Sequence, residues 1–397
     1  LIVGKEYTVK GQLMRKSTGE VLTYNGQPVV ASKTFVATKS SGTISLEFTF
    51  DASQLRGEAI VAFERLSRGN DVIATHEDLN DEGQTVRVTE PKIGTTATSK
   101  KDGSKVIDPL STVTVVDAVK YQNLIIGREY TVTGKLMRKS TGTVLEFNGQ
   151  PVTATKTFVA TQTSGTIDLE FTFDATALKG EEVVAFERVS RGNDVVATHE
   201  DLEDKGQTVK VLNIEITTTA VFENGEKAVM PGTPVKIIDK VAFKNLNPNA
   251  TYRLSGVLMD KSTEKPLLVD GKEVTGEVIF NAKDHQVEVN EDGSVNGVVE
   301  VTFSIENTSG LAGKEVVVFE ELDHVELDAE GKVVKAERVA EHKDINDEGQ
   351  TVQFLVPPTP PHGPELPKTG EMNILPLSLG LLTLGILFVY VSKRKEA

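Results

Sequence analysis

Residues 1–88 align without a gap onto residues 124–211, an offset of 123, with about three quarters of the positions identical. The segments "LMRKSTG", "NGQPV", "KTFVAT", "LEFTFDA", "VAFER" and "SRGNDV" recur whole. A repeat this long is a domain rather than a solenoid unit, whose period is about 20–50 residues. A third, diverged copy spans 212–356. Its "NPNATYRLSGVLMDKST" (Asn247–Thr263) corresponds to "IGREYTVTGKLMRKST" (Ile126–Thr141), and its "AGKEVVVFEEL" (Ala312–Leu322) to "KGEEVVAFERV" (Lys179–Val189). It also carries an insertion, Asp323–Glu337. Copies two and three open with a stretch that copy one lacks, so the chain is expected to begin inside its first domain. The expected domains are 1–89 (truncated), 90–211 and 212–356, then a Pro-rich spacer at 357–365 and a terminal segment at 366–397.

Each domain reads as all-β. Period-2 alternation dominates, interrupted by Gly/Asn/Asp turn signals such as "NGQ" and "RGND". The stretches "EYTVTGKLM", "DLEFTFDA", "EEVVAFE" and "QTVKV" predict strands. Several short strands per domain predict tandem immunoglobulin-like antiparallel β-sandwiches. With no Cys the fold has no disulfides and no thiolate metal site. A net charge of -15 argues against a nucleic-acid partner.

The tail has three parts. A Pro-rich spacer, "VPPTPPHGPE" (Val356–Glu365), precedes "LPKTG" (Leu366, Pro367, Lys368, Thr369, Gly370). An apolar run (Met372–Ser392) long enough to span a bilayer as a single helix follows, ending in basic Lys393–Lys395. This order resembles the cell-wall sorting signal of Gram-positive surface proteins. The resemblance implies cleavage between Thr369 and Gly370 by a sortase and transfer of the Thr369 carbonyl to peptidoglycan. The membrane would hold the chain only before sorting.

A second pattern concerns chemistry. "ATHEDLNDEGQTV" (Ala74–Val86) returns at Ala197–Val209 and, altered, at Ala340–Val352, always with a His eight residues before a Gln. Strand alternation places polar residues on otherwise apolar faces. Asp117 falls with Val115 and Val119, Glu187 with Val183 and Ala185, Gln207 with Val209 and Val211, Thr95 with Ile93 and Ala97, and His199 with Val195 and Ala197. Copy three repeats this with Asp239, Glu320, Gln350, Thr218 and His342. Buried polar groups are costly unless paired, so these residues are expected to form one cluster per domain. In such a cluster a Thr hydroxyl can lose its proton to His, and two close carboxyls share a proton. The protonated pair can stabilise charge developing on a Gln amide that then leaves as ammonia. The product is a Thr–Gln ester.

The "TTAT", "VxD", "VAFE" and "HxDxxDxGQT" elements resemble the Thr–Gln ester-bond domains, of VaFE-repeat type, in Gram-positive surface adhesins, and the likeness covers residues 1–355. It implies Thr95 joined to Gln207 with assistance from Asp117, Glu187 and His199. It likewise implies Thr218 joined to Gln350 with Asp239, Glu320 and His342. Thr96 and Thr219 are adjacent candidates for the nucleophile. Copy one has Glu64, His76 and Gln84 without a Thr-bearing first strand, and is expected to be unlinked.

Rival readings are a plain polar hairpin, a calcium loop in "DLNDEG" or "DINDEG", and a Lys–Asn isopeptide. The calcium loop lacks the acidic twelfth position, and the isopeptide needs Asn where Gln stands. No cofactor and no turnover enzyme are expected. The expected role is a surface stalk, adhesin or pilus-like, with a host ligand met by an N-terminal region. The alternative is that the repeats themselves bind host matrix, with Asp323–Glu337 as the one nominated site.

Overall fold

The computed structural model describes residues 1–358. The sorting signal, its apolar run and most of the Pro-rich spacer lie outside the described residues. Within them no helix is long and apolar enough to cross a membrane.

Repeat two is a sandwich of two sheets. In the smaller, Val113–Gln122 lies between Gly165–Phe173 on one side and the short strands Lys92–Gly94 and Ala97–Ser99 on the other. In the larger, Glu182–Arg191 pairs along one edge with Glu129–Arg138. Along its other edge it pairs first with Thr208–Val211, then with Asp194–His199. The alternating "VTVVDAVKYQ" buries Val113, Val115, Val119 and Tyr121 against Leu169, Phe171 and Phe173, as a one-sided strand should. Val106–Ile107 adds to Thr208–Val211 in parallel and ties the domain's opening segment to its last strand.

Repeat three repeats the plan. Glu215–Phe222 pairs with Val235–Leu246, and Glu315–Leu327 pairs with Thr251–Asp260, Val333–His342 and Thr351–Phe354. Gly134 and Gly256 face Glu187 and Glu320 across the ladder. A Cβ on Gly134 would collide with Phe171, and one on Gly256 with Phe303. Glycine at that rung lets the second sheet close over the acid.

Repeat one keeps one large sheet, built on Glu6–Arg15, Val30–Val36 and Ala59–Arg68, and a two-stranded ribbon, Thr23–Tyr24 with Gln27–Pro28. Its "ISLEFTF" (Ile44–Phe50) forms no strand, whereas the matching Ile167–Phe173 of repeat two pairs with Val113–Gln122. Repeat one has no counterpart of that partner, and only a small core around Leu13, Leu22, Val29, Leu55 and Ile60 forms.

The insertion of repeat three is a hairpin, an extension of Glu315–Leu327 and Val333–His342. Its base docks on repeat two. His324 Nδ1 lies 2.5 Å from Asp108 Oδ2, and the buried Tyr252 hydroxyl donates to the same carboxylate. Glu337 accepts from the Ser111 backbone and hydroxyl, and Lys101 Nζ reaches both His324 Nε2 and Glu326. The spacing of His324 and His342 in the sequence suggests no partners for either, and His324 finds its own in the neighbouring repeat. The hairpin nominated above for host ligand is thus engaged, at its base, within the chain.

Candidate functional site

The polar residues singled out by alternation meet between the sheets. Asp117, Glu187 and Gln207 are fully buried, and so are Asp239, Glu320 and Gln350. Thr95 and Thr218 are each 8% exposed. The small sheet brings Thr and Asp, and the large sheet brings Glu, His and Gln. In repeat two the first strand breaks at Thr95–Thr96, between Lys92–Gly94 and Ala97–Ser99. Gln207 stands just before Thr208–Val211, in the gap that this strand and Asp194–His199 leave along Glu182–Arg191. In repeat three the first strand runs unbroken through Thr218.

One expectation on strand faces fails. Val195 does not share the inward face of Ala197 and His199 but is 43% exposed. The register shifts between Val189 and Ser190, so Ala197 pairs with Val189 while Val195 pairs with Ser190. A bulge inserts one residue and resets alternation. It leaves His199 beside Glu187.

The acid and the amide touch. Gln207 Nε2 lies 2.5 Å from Glu187 Oε2, and Gln350 Nε2 the same distance from Glu320 Oε2. Burial first, and the Asp117 charge second, push the Glu187 carboxyl up to about 10. Burial first, and Asp239 second, push Glu320 up to about 11. Burial also raises Asp117. At neutral pH each glutamic acid therefore keeps its proton and is a donor. Oxygen and nitrogen of a Gln amide exchange places by a flip, so the protonated carboxyl can donate to the amide oxygen and polarise the carbonyl.

Thr218 Oγ1 donates to Asp239 Oδ1 at 2.5 Å and lies 3.4 Å from Gln350 Nε2. The nucleophile, the acid pair and the amide are thus in one hydrogen-bonded chain. In repeat two Thr95 Oγ1, both Asp117 oxygens, Glu187 Oε1 and Gln207 Oε1 are buried without a hydrogen-bond partner. Buried polar atoms are rarely left so, and here five of them face one another.

Each histidine is about one-quarter exposed and turns Nε2 to an aspartate that sequence reasoning passed over. His199 pairs with Asp204 and His342 with Asp347, both at 2.9 Å. The other oxygen of Asp204 accepts the Gly206 N–H at 2.6 Å, and Asp347 does the same for Gly349. One carboxylate therefore fixes both the His ring and the turn that delivers Gln. That accounts for the constant His-to-Gln spacing. The signal was present, as the second Asp of "HxDxxDxGQ". The first, Asp201 or Asp344, caps a backbone N–H of the same loop. These oxygens serve the loop itself. His199 Nδ1 is buried and without a partner.

In repeat one the half-site persists. Gln84 still reaches Glu64, and His76 Nε2 lies 2.8 Å from Asp81. His76 is, however, 57% exposed, because no second sheet covers it.

A sandwich whose first and last strands meet at a buried hydroxyl, carboxyl pair and amide defines a class of self-linking surface domain. The chain belongs to the family described as T-Q ester bond containing domain, whose model matches residues 1–88, 91–211 and 214–354. The LPXTG cell wall anchor motif matches residues 359–397. The protein is therefore a cell-wall-anchored surface protein, and the motif implies sortase processing and covalent attachment to peptidoglycan. Among curated proteins none matches. Similar solved structures include a bacterial adhesin from Mobiluncus mulieris containing intramolecular disulfide, isopeptide and ester bond cross-links. It is 14% identical with TM-score 0.30, over 58% of this chain and 81% of that one. Another is the C-terminal domain of the Streptococcus agalactiae AgI/II polypeptide BspA, 11% identical with TM-score 0.31, over 64% of this chain and all of that one. A third is the C-terminal domain of the antigen I/II-family protein AspA of Streptococcus pyogenes, 12% identical with TM-score 0.29, over 64% of this chain and all of that one.

Proposed function

We propose that the repeats form the wall-proximal stalk of an adhesin or pilus-like protein, and that repeats two and three each close one ester, Thr95 to Gln207 and Thr218 to Gln350. The observation that carries this reading is the contact chain Thr218–Asp239 with Gln350–Glu320, buried between first and last strands. The threonine oxygen attacks the amide carbon. The threonine proton passes to the aspartate, or in repeat two to the unpartnered His199 Nδ1, and from there to the amide nitrogen, while the protonated glutamic acid holds the carbonyl oxygen. Protonated nitrogen then leaves as ammonia, and the C–O bond replaces the C–N bond. The fold supplies the effective concentration, and the reaction runs once per domain, so the chain is no turnover enzyme. The ester ties the two ends of a sandwich as a disulfide would elsewhere, in a protein without Cys. The docked hairpin between repeats two and three suits a stalk that holds its shape. Intact mass tests it. The folded chain weighs about 34 Da less than its sequence, for two losses of ammonia of about 17 Da each. Full sequence mass in a folded sample overturns the reading.

A further inference from the structure

A lysine stands beside the centre in both complete repeats, and nothing above gives it a role. Lys105 Nζ donates to Ala97 O and to Gly206 O, both at 2.5 Å. The first carbonyl lies on the nucleophile strand two residues after Thr95. The second belongs to the residue immediately before Gln207. The Ala97 N–H also donates to Gly206 O, at 3.0 Å. The ammonium therefore completes a bridge between the strand that carries the hydroxyl and the turn that carries the amide. In repeat three Lys227, five residues past the Thr-bearing strand Glu215–Phe222, reaches only the turn that carries Gln350, donating to Gly349 O at 2.5 Å and to Glu348 O at 3.3 Å, while Ala220 N–H donates to Gly349 O at 3.0 Å.

The two lysines come from different local sequences, "DGSKVI" and "NGEKAV", on the turn after the first strand. They nonetheless arrive at the carbonyl that precedes Gln. Burial lowers the ammonium of each, a cost that an exposed lysine would not bear. The carboxylates near enough to act on Lys105 are Asp117 and Asp204, and those near Lys227 are Asp239 and Asp347.

We infer that Lys105 and Lys227 are positioning residues for ester formation, Lys105 clamping the Gln-bearing turn to the Thr-bearing strand and Lys227 clamping it to the segment that follows that strand. The inference rests on the ester reading above. Neither lysine touches a reacting atom, so its effect falls on how fast the bond forms.

The test uses the full chain made in a cell-free reaction and sampled over time, with linkage in each repeat read by peptide mass. Repeat three serves as the internal clock for changes in repeat two. Lys105→Met slows linking of repeat two by roughly tenfold to a hundredfold, as expected for a small misplacement of reacting groups, while repeat three links as before. Lys105→Arg, which keeps charge and donors, recovers most of the rate. Lys227→Met gives the reciprocal result. Hydrogen-exchange protection of Thr208–Val211 and Thr351–Phe354 reports that each repeat is folded. A folded variant that links at the unaltered rate overturns the inference, and so does a loss that arginine does not recover. A Lys105→Met repeat that fails to fold overturns it too, since the lysine is then a structural strut. If neither repeat of the unaltered chain links, the ester reading itself has failed.

Discussion

Asp239 accepts the Thr218 hydroxyl at 2.5 Å in the buried gap between two sheets. A threonine in that place has little solvent to exchange with, and the Gln350 side-chain amide stands beside it. Such a pair has the contacts that the proposed ester needs.

Replacing the nucleophile separates the two bonds. Thr95→Ala restores about 17 Da of the deficit and Thr218→Ala the other 17 Da, one amide nitrogen each. Peptide mapping and hydroxylamine cleavage check the assignment. A full deficit that survives Thr95→Ala moves the bond to Thr96.

Removing the acid pair stops the reaction while leaving the nucleophile. Glu187→Gln and Asp239→Asn slow linking in their own repeats by roughly a hundredfold to ten thousandfold, the usual range for a lost acid–base group. Linkage kinetics by mass measure this, and rates within a few fold of the unaltered protein would dismiss the carboxyl roles.

Unlinked repeats lose stability as pH rises. Folded Glu187 and Glu320 hold their protons up to about 10 and about 11, whereas an unfolded glutamic acid releases its proton near 4.5. Folding therefore binds protons, and that contribution is whole below pH 4.5, shrinks above it, and is gone past the folded values. The Thr95→Ala, Thr218→Ala double variant should melt at a lower temperature at pH 9 than at pH 5.5. A melting temperature that rises over that interval contradicts the protonated acids.

The joint between repeats two and three depends on a small set of side chains. Asp108→Asn and His324→Ala leave Tyr252 or its partners unsatisfied in a buried place. Small-angle scattering should show a wider spread of repeat orientations, with both esters still formed. An unchanged scattering profile would show that the hairpin is not what fixes the joint.

The legible part of this protein was the part governed by alternation. Asp117, Glu187, Gln207 and Thr95 could be placed on inward faces because each breaks an apolar register of two, and their counterparts in repeat three follow the same rule. Val195 was misplaced because a bulge leaves no mark in a strand of valines. Asp204 was visible but ambiguous, since an acidic turn reads equally as a metal loop or a helix-free cap. Lys105 could not be seen at all. Its partners are carbonyls, one about a hundred residues away, and backbone oxygens have no sequence signature. His324 was missed for a related reason, because its partner Asp108 lies in the preceding repeat and a contact between domains has no period.

The positions of Thr95 and Gln207 near opposite ends of one repeat also set what the chain does when it is stretched. An untied sandwich of this size releases the segment between them as extended chain, roughly 380 Å at full reach. A tied one keeps that length locked and lengthens only by its linkers. A string of tied repeats thus has nearly constant contour length and stores little slack. Any elasticity between cell and surface must then come from segments without such a tie.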